Sequence, residues 1–317
     1  MKFVTRWLIV LSLIAIPGAK GLEMPAQAPD NSPAENNAPA SVQRVSLNSE
    51  APCIGWLDNG KPVKAAVLCL HELGMHSGVF EPFAQKMAAR GIACYAMDLR
   101  GFGSWSRDER MSIDKSFEDA LATIKVIRKT HPNVPVFVLG EAMGGALALK
   151  VAAEHPELVN GAISSAPGGE HFNQARMDMQ VGSRLVTAPD KRFDIGKQFV
   201  EDGTPDENKR KHFEEDSLVR LQLTPRECMQ CQFFMFKSGG LAGRIKSLPV
   251  LIVQGEKDHM SKPHGARHVF AKLPSANKQS QIEMVEDSDH YCYEGIDVPD
   301  KLIETTASFI IKHLPNS

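Results

Sequence analysis

The sequence has no excess of charge of either sign. Its 317 residues carry 36 Lys and Arg against 38 Asp and Glu, which gives a formal net charge of −2. A surface that binds nucleic acid must offer the phosphates a basic patch. The balance of charges therefore argues against a nucleic-acid partner.

Patterns that bind metals or nucleotides are present only in part. Cys228 and Cys231 form a CxxC, but no second CxxC completes a zinc site. His71 and His76 are five residues apart instead of the four of HExxH, which would place them about 140° apart on a helix. The segment Asp98–Gly103 lacks the third glycine of a dinucleotide fingerprint. We therefore expect no metal and no cofactor.

Six cysteines are spread along the chain, and two of them argue against a disulfide framework. Cys69 and Cys94 lie inside apolar runs that look like buried strands, where a free thiol packs as a small hydrophobe. The CxxC follows a capping box, Thr224–Glu227, and so falls beyond the first turn of a helix. A redox pair gains from the helix terminus itself, so that a packing role is favoured. The pairing of four cysteines stays open: Cys53, Cys228, Cys231 and Cys292.

Residues 1–21 have the form of a signal peptide, with a positive start, an apolar core from Trp7 to Ile16 and small residues before a cleavage point. Export to the periplasm or out of the cell is therefore expected, and a retained membrane anchor is the alternative. Residues 22–45 are rich in Pro, Ala and Asn and poor in large apolar side chains, which predicts a disordered linker.

Residues 46–317 are predicted to form one α/β domain, because strand and helix patterns alternate along them. The alternation predicts a mostly parallel, eight-stranded sheet flanked by helices, with the first two strands as an antiparallel edge. Ligands of such sheets bind at the carboxyl ends of the strands. The predicted strands are Val42–Leu47, Cys53–Leu57, Ala65–Leu70, Ile92–Met97, Val134–Leu139, Val159–Ser164, Pro249–Gln254 and Gln281–Val285, and the predicted helices are Phe80–Arg90, Phe117–Lys129, Met143–Glu154, Lys262–Lys272 and Lys301–His313.

The segment Gly140–Gly144 reads GEAMG between a predicted strand and a predicted helix. This is the glycine spacing of a nucleophile elbow, G-x-S-x-G, whose glycines leave room for a sharp turn from strand to helix. The middle residue is Ala142, which has no nucleophilic atom. The N–H group of Met143 is placed to donate to a developing oxyanion, together with an N–H of the loop His71–His76.

Two further side chains follow predicted strands at the same edge of the sheet. Asp258 lies on a tight turn after one strand, and His290 follows the last strand. The order of elbow, acid and histidine is that of α/β-hydrolases. Asp258 is predicted to orient His290 and to stabilise its protonated form, while His290 is predicted to be the general base.

The sequence from about Lys64 onward resembles the monoacylglycerol lipase and lysophospholipase group of α/β-hydrolases. The motifs are HELGMHS, DLRGFGSW, GEAMGG, GEKDHM and DSDHYCYE, and the family usually reads HGxG, DxRGxG and G[HE]SMGG at the first three. The resemblance implies that Leu73 and Met143 supply the N–H groups of an oxyanion hole. It also implies cleavage of acyl esters of glycerol, lysolipids or other small esters without a cofactor. The loops are expected to be supported by His71, Asp98 and Arg100.

Two positions depart from the family pattern. Ala142 stands where the family has its nucleophilic serine, and Glu72 stands where it has glycine. Loss of such a serine costs about 10⁶-fold in kcat, or roughly 8 to 9 kcal/mol of barrier, so that acyl-enzyme hydrolysis is expected to be absent or strongly impaired. Glu72 either points to solvent or weakens the adjacent oxyanion hole. Ala142 is either an engineered change or a natural loss in a pseudo-enzyme, and Glu72 favours the natural loss.

Residues 168–245 are predicted to be a helical cap inserted into the domain. Its charged stretch, Glu201–Asp216, is expected to be solvated. Other side chains suit either an acyl-chain pocket or packing against the rest of the domain, and they are Met177, Met179, Met229, Met235 and the segment Cys231–Phe236.

Three functions stay open on the sequence alone. The leading one is an ester hydrolase scaffold, and the second is a non-catalytic protein that binds a lipid or small molecule. The third is an aminopeptidase that holds a substrate amine on Glu72 or Glu141. The expected partner is an acyl ester or lipid, with contact to a membrane surface through the cap or through an uncleaved N-terminal segment.

Overall fold

The computed structural model describes residues 41–105, 109–171 and 174–315. The predicted signal peptide and the linker up to residue 40 lie outside these ranges and stay predictions. Strand β1, Val42–Ser46, begins inside the stretch that composition assigned to the linker. It corresponds to the predicted strand Val42–Leu47; its side chains are mostly exposed, and backbone pairing with the next strand orders it.

The described residues form one sheet of eight strands. The strands are β1 (Val42–Ser46), β2 (Cys53–Asp58), β3 (Ala65–Leu70), β4 (Ile92–Met97), β5 (Val136–Glu141), β6 (Gly161–Ser165), β7 (Val250–Gly255) and β8 (Gln281–Val285). Their spatial order is β1-β2-β4-β3-β5-β6-β7-β8. The pairs β1/β2 and β2/β4 are antiparallel and the remaining pairs are parallel. The predicted mostly parallel sheet with an antiparallel edge is confirmed.

Helices cover both faces of this sheet. The α-helices of the described residues are α1 (Glu81–Ala88), α2 (Ile113–Thr130), α3 (Met143–Glu154), α4 (Gln174–Thr187), α5 (Gly196–Gly203), α6 (Glu207–Glu215), α7 (Pro225–Met235), α8 (Ser238–Ala242), α9 (Pro263–Lys272) and α10 (Asp300–Lys312). Alternate residues of β3 face opposite cores, since Leu68 packs with α2 and α3 while Val67 packs with α1 and α10. Burial on both faces explains why the central strands are continuous apolar runs.

Two element boundaries differ from the predicted ones for local reasons. β5 extends to Glu141, two residues past the predicted end at Leu139, because Glu141 continues the parallel ladder opposite Ser165. Helix α2 begins at Ile113 instead of Phe117, and the Ser112 side chain caps it by accepting the N–H of Lys115.

Helices α4–α8 lie between β6 and β7, over the stretch predicted to be a cap. Helix α7 begins with the predicted capping box, in which Thr224 and Glu227 exchange hydrogen bonds between side chain and backbone. The expectation that the charged stretch is solvated is wrong for two side chains of α6, since Lys209 and Phe213 are buried. Among the helices that the structure describes, none is both long and apolar enough to cross a bilayer.

Candidate active site

The turn between β5 and α3 has the backbone of a nucleophile elbow. Ala142 has φ 46° and ψ −106°, a conformation that L side chains rarely adopt, and its side chain is buried. A Cβ added to Gly140 would lie 2.1 Å from the carbonyl carbon of Gly144, and one added to Gly144 would lie 1.9 Å from the carbonyl oxygen of Leu70. Both glycines are therefore required sterically. The strained turn is present although residue 142 is alanine.

Asp258 is held on the turn after β7 by four hydrogen bonds. Its Oδ1 accepts the N–H groups of Met260, at 2.8 Å, and Ser261, at 2.7 Å. Its Oδ2 accepts from Gln254 Nε2 and from His290 Nδ1, both at 2.7 Å. Burial alone would raise the pKa of the carboxyl, but the charge of His290 and these hydrogen bonds hold it below its usual value. The structure thus brings together the two residues that the sequence singled out as acid and histidine.

The loop that carries His290 is fastened to the elbow by Glu141. The Glu141 carboxylate accepts the N–H groups of Cys292, Tyr293 and Glu294 at 2.9–3.1 Å, and the Ser165 hydroxyl at 2.6 Å. Complete burial raises the pKa of Glu141 to about 7, against the opposing effect of these hydrogen bonds. Because Glu141 precedes Ala142 in the chain, it fixes the histidine loop relative to the elbow.

Glu72 points inward, towards the imidazole of His290. Its Oε2 lies 3.3 Å from His290 Nε2, and both side chains are almost fully buried. Burial would lower the pKa of His290, but the charges of Asp258 and Glu72 on its two sides raise it well above the usual value. The alternative that Glu72 points to solvent is therefore wrong. His290 lies between two carboxylates.

The two residues predicted to supply oxyanion-hole N–H groups lie beside the elbow at the cavity wall. Leu73 and Met143 both line the cavity, and within the described residues neither N–H donates a hydrogen bond. Buried N–H groups almost always have an acceptor, so that an unpaired pair indicates a place for a ligand oxygen. An oxyanion hole requires two such N–H donors aimed at one oxygen, and the assignment of Leu73 and Met143 to it stays a prediction.

His71 fixes the loop that carries Glu72 and Leu73. Its Nε2 accepts the N–H of Leu99 at 2.9 Å, so that Nδ1 bears the proton and donates to the carbonyl of Glu72 at 2.7 Å. Burial lowers the pKa of His71 to about 4, which keeps the ring neutral in this role. Among the described residues, no group of His, Cys, Asp and Glu side chains is arranged to hold a metal.

Asp98 and Arg100 support the neighbouring loop in different ways. The Asp98 carboxylate accepts the N–H groups of Ser77 and Ser104, both at 2.7 Å. Arg100 binds Asp119 of α2 through two nitrogens, at 2.6 and 2.9 Å, and its guanidinium stacks 3.9 Å from the Trp105 ring centre. Asp98 therefore orders the loop from within, and Arg100 ties it to a helix.

The site opens into a mostly apolar cavity that is partly open to solvent and has a volume of about 40 Å³ for the centres of water-sized spheres. Its walls come from the elbow, the two loops and the cap. The sequence indicated Met229 and Met235 as alternatives for an acyl pocket, and both line this cavity, whereas the exposed Phe233 and Phe236 line a neighbouring outer pocket. The side chain of Met177 lies outside the described part. Cys231 and Gln232, which the sequence indicated in the same way, also line the cavity, whereas sequence reasoning missed His171, Val181, Phe199, Cys228 and Met260.

Of the missed residues, only His171 had a usable sequence signal. It follows β6 at the edge of the sheet where the other site loops lie, and it is buried. Burial and the nearby charge of His290 lower its pKa, so that it adds a neutral polar group to the cavity wall. The remaining missed residues are apolar or lie on cap helices, and their place in the wall depends on how the cap packs.

The six cysteines are free, buried thiols. Burial raises the pKa of Cys228 to about 12 and raises that of Cys231 well above the usual value, so both stay protonated and unreactive. The packing role favoured for the CxxC agrees with this burial.

An elbow, an aspartate–histidine pair and an unpaired N–H couple at the carboxyl edge of this sheet define an α/β-hydrolase site. A profile of the family described as serine aminopeptidase, S33, matches residues 61–290, and the chain belongs to that family. It is also similar to monoglyceride lipases. The Monkeypox virus homologue is 27% identical over 259 residues, 77% of this chain and 92% of that protein. The Rattus norvegicus monoglyceride lipase is 26% identical over 251 residues, 77% of this chain and 80% of that protein.

Solved structures show the same fold. A soluble variant of the Saccharomyces cerevisiae monoglyceride lipase, in complex with a substrate analogue, has a TM-score of 0.73 and 19% identity, covering 91% of this chain and all of that one. The Paleococcus ferrophilus monoacylglycerol lipase has a TM-score of 0.67 and 20% identity, covering 86% and 99%. At these identities the likeness is one of fold.

Proposed function

We propose that the chain is a monoacylglycerol lipase-like or lysophospholipase-like scaffold that binds an acyl ester in its cavity. The observation that carries the proposal is the cavity lining, which is mostly apolar and includes Glu72 and His290 as its charged pair together with Leu73 and Met143 beside the elbow. An acyl chain gains free energy when it leaves water for such a wall. The ester carbonyl oxygen then accepts from the N–H groups of Leu73 and Met143.

Ester cleavage through an acyl-enzyme is absent from this chain, in our proposal, because the methyl group of Ala142 cannot attack a carbonyl. The strained backbone of the elbow and the Asp258–His290 hydrogen bond are nevertheless in place. A serine at position 142 would therefore be positioned by the strained turn, and His290 would be available as its general base.

The variant Ala142→Ser tests this proposal. We expect at least a 100-fold gain in hydrolysis of 4-nitrophenyl butyrate and of mono-oleoylglycerol, because a positioned nucleophile with a general base supplies several kcal/mol. The exposed Ala276→Ser is the matched control and should leave the rate unchanged. Equal rates for Ala142→Ser and the parent would contradict the proposal.

A non-catalytic binding protein is the second candidate, and the Glu72–His290 ion pair favours it. A single engineered change at position 142 would leave the rest of the site in the family pattern, whereas Glu72 pairs with the histidine on the side that would face a serine. We infer that the loss of serine is natural. A monoacylglycerol ether, which cannot be hydrolysed, should raise the melting temperature of the parent. If it does so while Ala142→Ser stays inactive, binding is the function.

An aminopeptidase requires a free carboxylate for the substrate ammonium group. Glu141 accepts four hydrogen bonds and is buried, and Glu72 is paired with His290. These contacts support an ester over an amino-terminal peptide as the ligand.

We also propose that the cap meets a lipid surface and that the protein is exported. Five large apolar side chains among the described residues of the cap are exposed, and they are Met179, Val186, Leu218, Phe233 and Phe236. Lipid substrates reside in membranes, so that an apolar rim beside the outer pocket would shorten their path to the cavity.

A further inference from the structure

We propose that Glu72 and His290 hydrolyse the bound ester by direct attack of water, with Glu72 as general base, His290 as general acid and no acyl-enzyme. The inference rests on the proposed binding of an acyl ester in the cavity. It assigns to Glu72 a catalytic role, in the position where the resemblance implies glycine.

The two side chains are placed for this reaction. Glu72 Oε2 and His290 Nε2 are 3.3 Å apart and form an ion pair. Neither atom has a hydrogen-bond partner among the described residues, although both are buried. Both side chains line the same cavity as Ala142. Two buried polar atoms that have only each other as partners, on side chains that line one apolar cavity, leave hydrogen-bonding capacity for a polar ligand atom.

His290 is better prepared as an acid than as a base. Its Nδ1–H donates to Asp258, and the carboxylates on its two sides favour the doubly protonated ring. The neutral His171 and the buried Glu141 and Glu294 are the other titratable groups nearby that interact with it. Glu72 bears the only carboxylate among the described residues that line the cavity, and it is the candidate base.

Ala142 leaves the attack position to water. In a serine elbow the hydroxyl occupies the space between the histidine and the carbonyl carbon. The methyl group of Ala142 bears no oxygen, and Ala142 lines the same cavity as Glu72 and His290, so that in the proposed reaction a water molecule takes the place of the hydroxyl. The N–H groups of Leu73 and Met143 stay available for the oxyanion.

The reaction balances with water as the only co-reactant. Glu72 takes a proton from water while the water oxygen forms a bond to the carbonyl carbon, and the carbonyl electron pair moves to the oxyanion. The oxyanion collapses and breaks the bond to the alcohol oxygen, which takes the Nε2 proton of His290. The proton on Glu72 then passes to His290 Nε2. The products are a carboxylic acid and an alcohol, and both side chains return to their initial states.

Substitution of Glu72 in two backgrounds tests the inference. We expect Glu72→Gln to lower mono-oleoylglycerol hydrolysis by the parent about 100-fold or more, since it removes a general base of similar shape. The same change in the Ala142→Ser background should not lower the rate, because serine uses His290 as its base. The exposed Glu118→Gln is the matched control and should change neither rate. A loss in both backgrounds would assign Glu72 a structural role and overturn the inference.

The kinetics with 4-nitrophenyl butyrate supply a second readout. The parent should release nitrophenol without a burst and should not be labelled by a fluorophosphonate, whereas Ala142→Ser should show both a burst and a label. Melting temperatures with the monoacylglycerol ether separate the two proposals. If the ether binds but Glu72→Gln leaves the parent rate unchanged, only the direct-water reaction is wrong. If the ether does not bind, the proposed function fails.

Discussion

At the residue scale, the site differs from that of a serine hydrolase in the partner of His290 Nε2. His290 Nδ1 donates to Asp258, as the order of motifs predicted, but Nε2 faces Glu72 instead of a nucleophile. The sequence located each of these residues because each follows a strand of the alternating pattern. It could not give the direction of Glu72, which depends on His71 and on the burial of its loop.

We predict that Glu72 competes with a restored serine for His290. The double variant Ala142→Ser/Glu72→Gly should therefore hydrolyse mono-oleoylglycerol faster than Ala142→Ser alone, by about 10-fold, as expected when one ion pair no longer holds the base protonated. Steady-state kinetics of the two variants checks this. A double variant slower than Ala142→Ser would show that Glu72 assists the serine.

His71 should make stability depend on pH. Its pKa is about 4 in the folded protein and near 6.5 in the unfolded chain, so between these values the unfolded state binds the extra proton. The stability due to this histidine is therefore lost as pH falls from about 6.5 to about 4, by roughly 3 kcal/mol. His71→Gln should lower the pH dependence of urea unfolding in this window. An unchanged dependence would contradict a neutral His71.

At the element scale, the helices of the cap contribute to the site through contacts that are distant in sequence. Lys209 of α6 bonds both oxygens of Asp289 at 3.0 Å, next to His290, and Thr204 also donates to that carboxylate. The pair joins residues 80 positions apart. Local charge patterning cannot show such a partner, which is why α6 looked solvated in the sequence.

We predict that Lys209→Met destabilises the fold by about 3–5 kcal/mol, because it leaves Asp289 buried without a counter-charge. The loss should be smaller in Lys209→Met/Asp289→Asn, where no unpaired charge is left. Lys211→Met on the exposed side of α6 is the control and should change the unfolding free energy by less than about 0.5 kcal/mol. Urea unfolding of the three variants measures these free energies. Equal losses for Lys209→Met and Lys211→Met would contradict a structural role of Lys209.

The sheet was more predictable than the cap for a physical reason. The central strands are buried on both faces, so their apolar runs are visible in the sequence. Of the cap, the α7 start was visible as a capping box, whereas α4, α5 and α8 were not predicted individually.

At the scale of the whole molecule, an apolar cavity lies under a cap whose outer side exposes further apolar groups. We predict that Phe233→Ser/Phe236→Ser lowers the affinity for phosphatidylcholine vesicles, measured by sedimentation, by about 10-fold. Full burial of two such rings contributes a few kcal/mol, and a lipid surface buries them only in part. The exposed Ile311→Ser on α10 is the control and should bind as the parent does. Equal vesicle binding by the parent, the double variant and Ile311→Ser would show that the cap does not contact the lipid.

The most direct measurement of the central claim is the intact mass of Ala142→Ser after reaction with a long-chain fluorophosphonate. The claim is that the elbow, Asp258 and His290 still form a hydrolase site around the methyl group of Ala142. The variant should gain the mass of one phosphonyl group on residue 142, while the parent gains none. A folded Ala142→Ser protein that stays unlabelled would contradict the account.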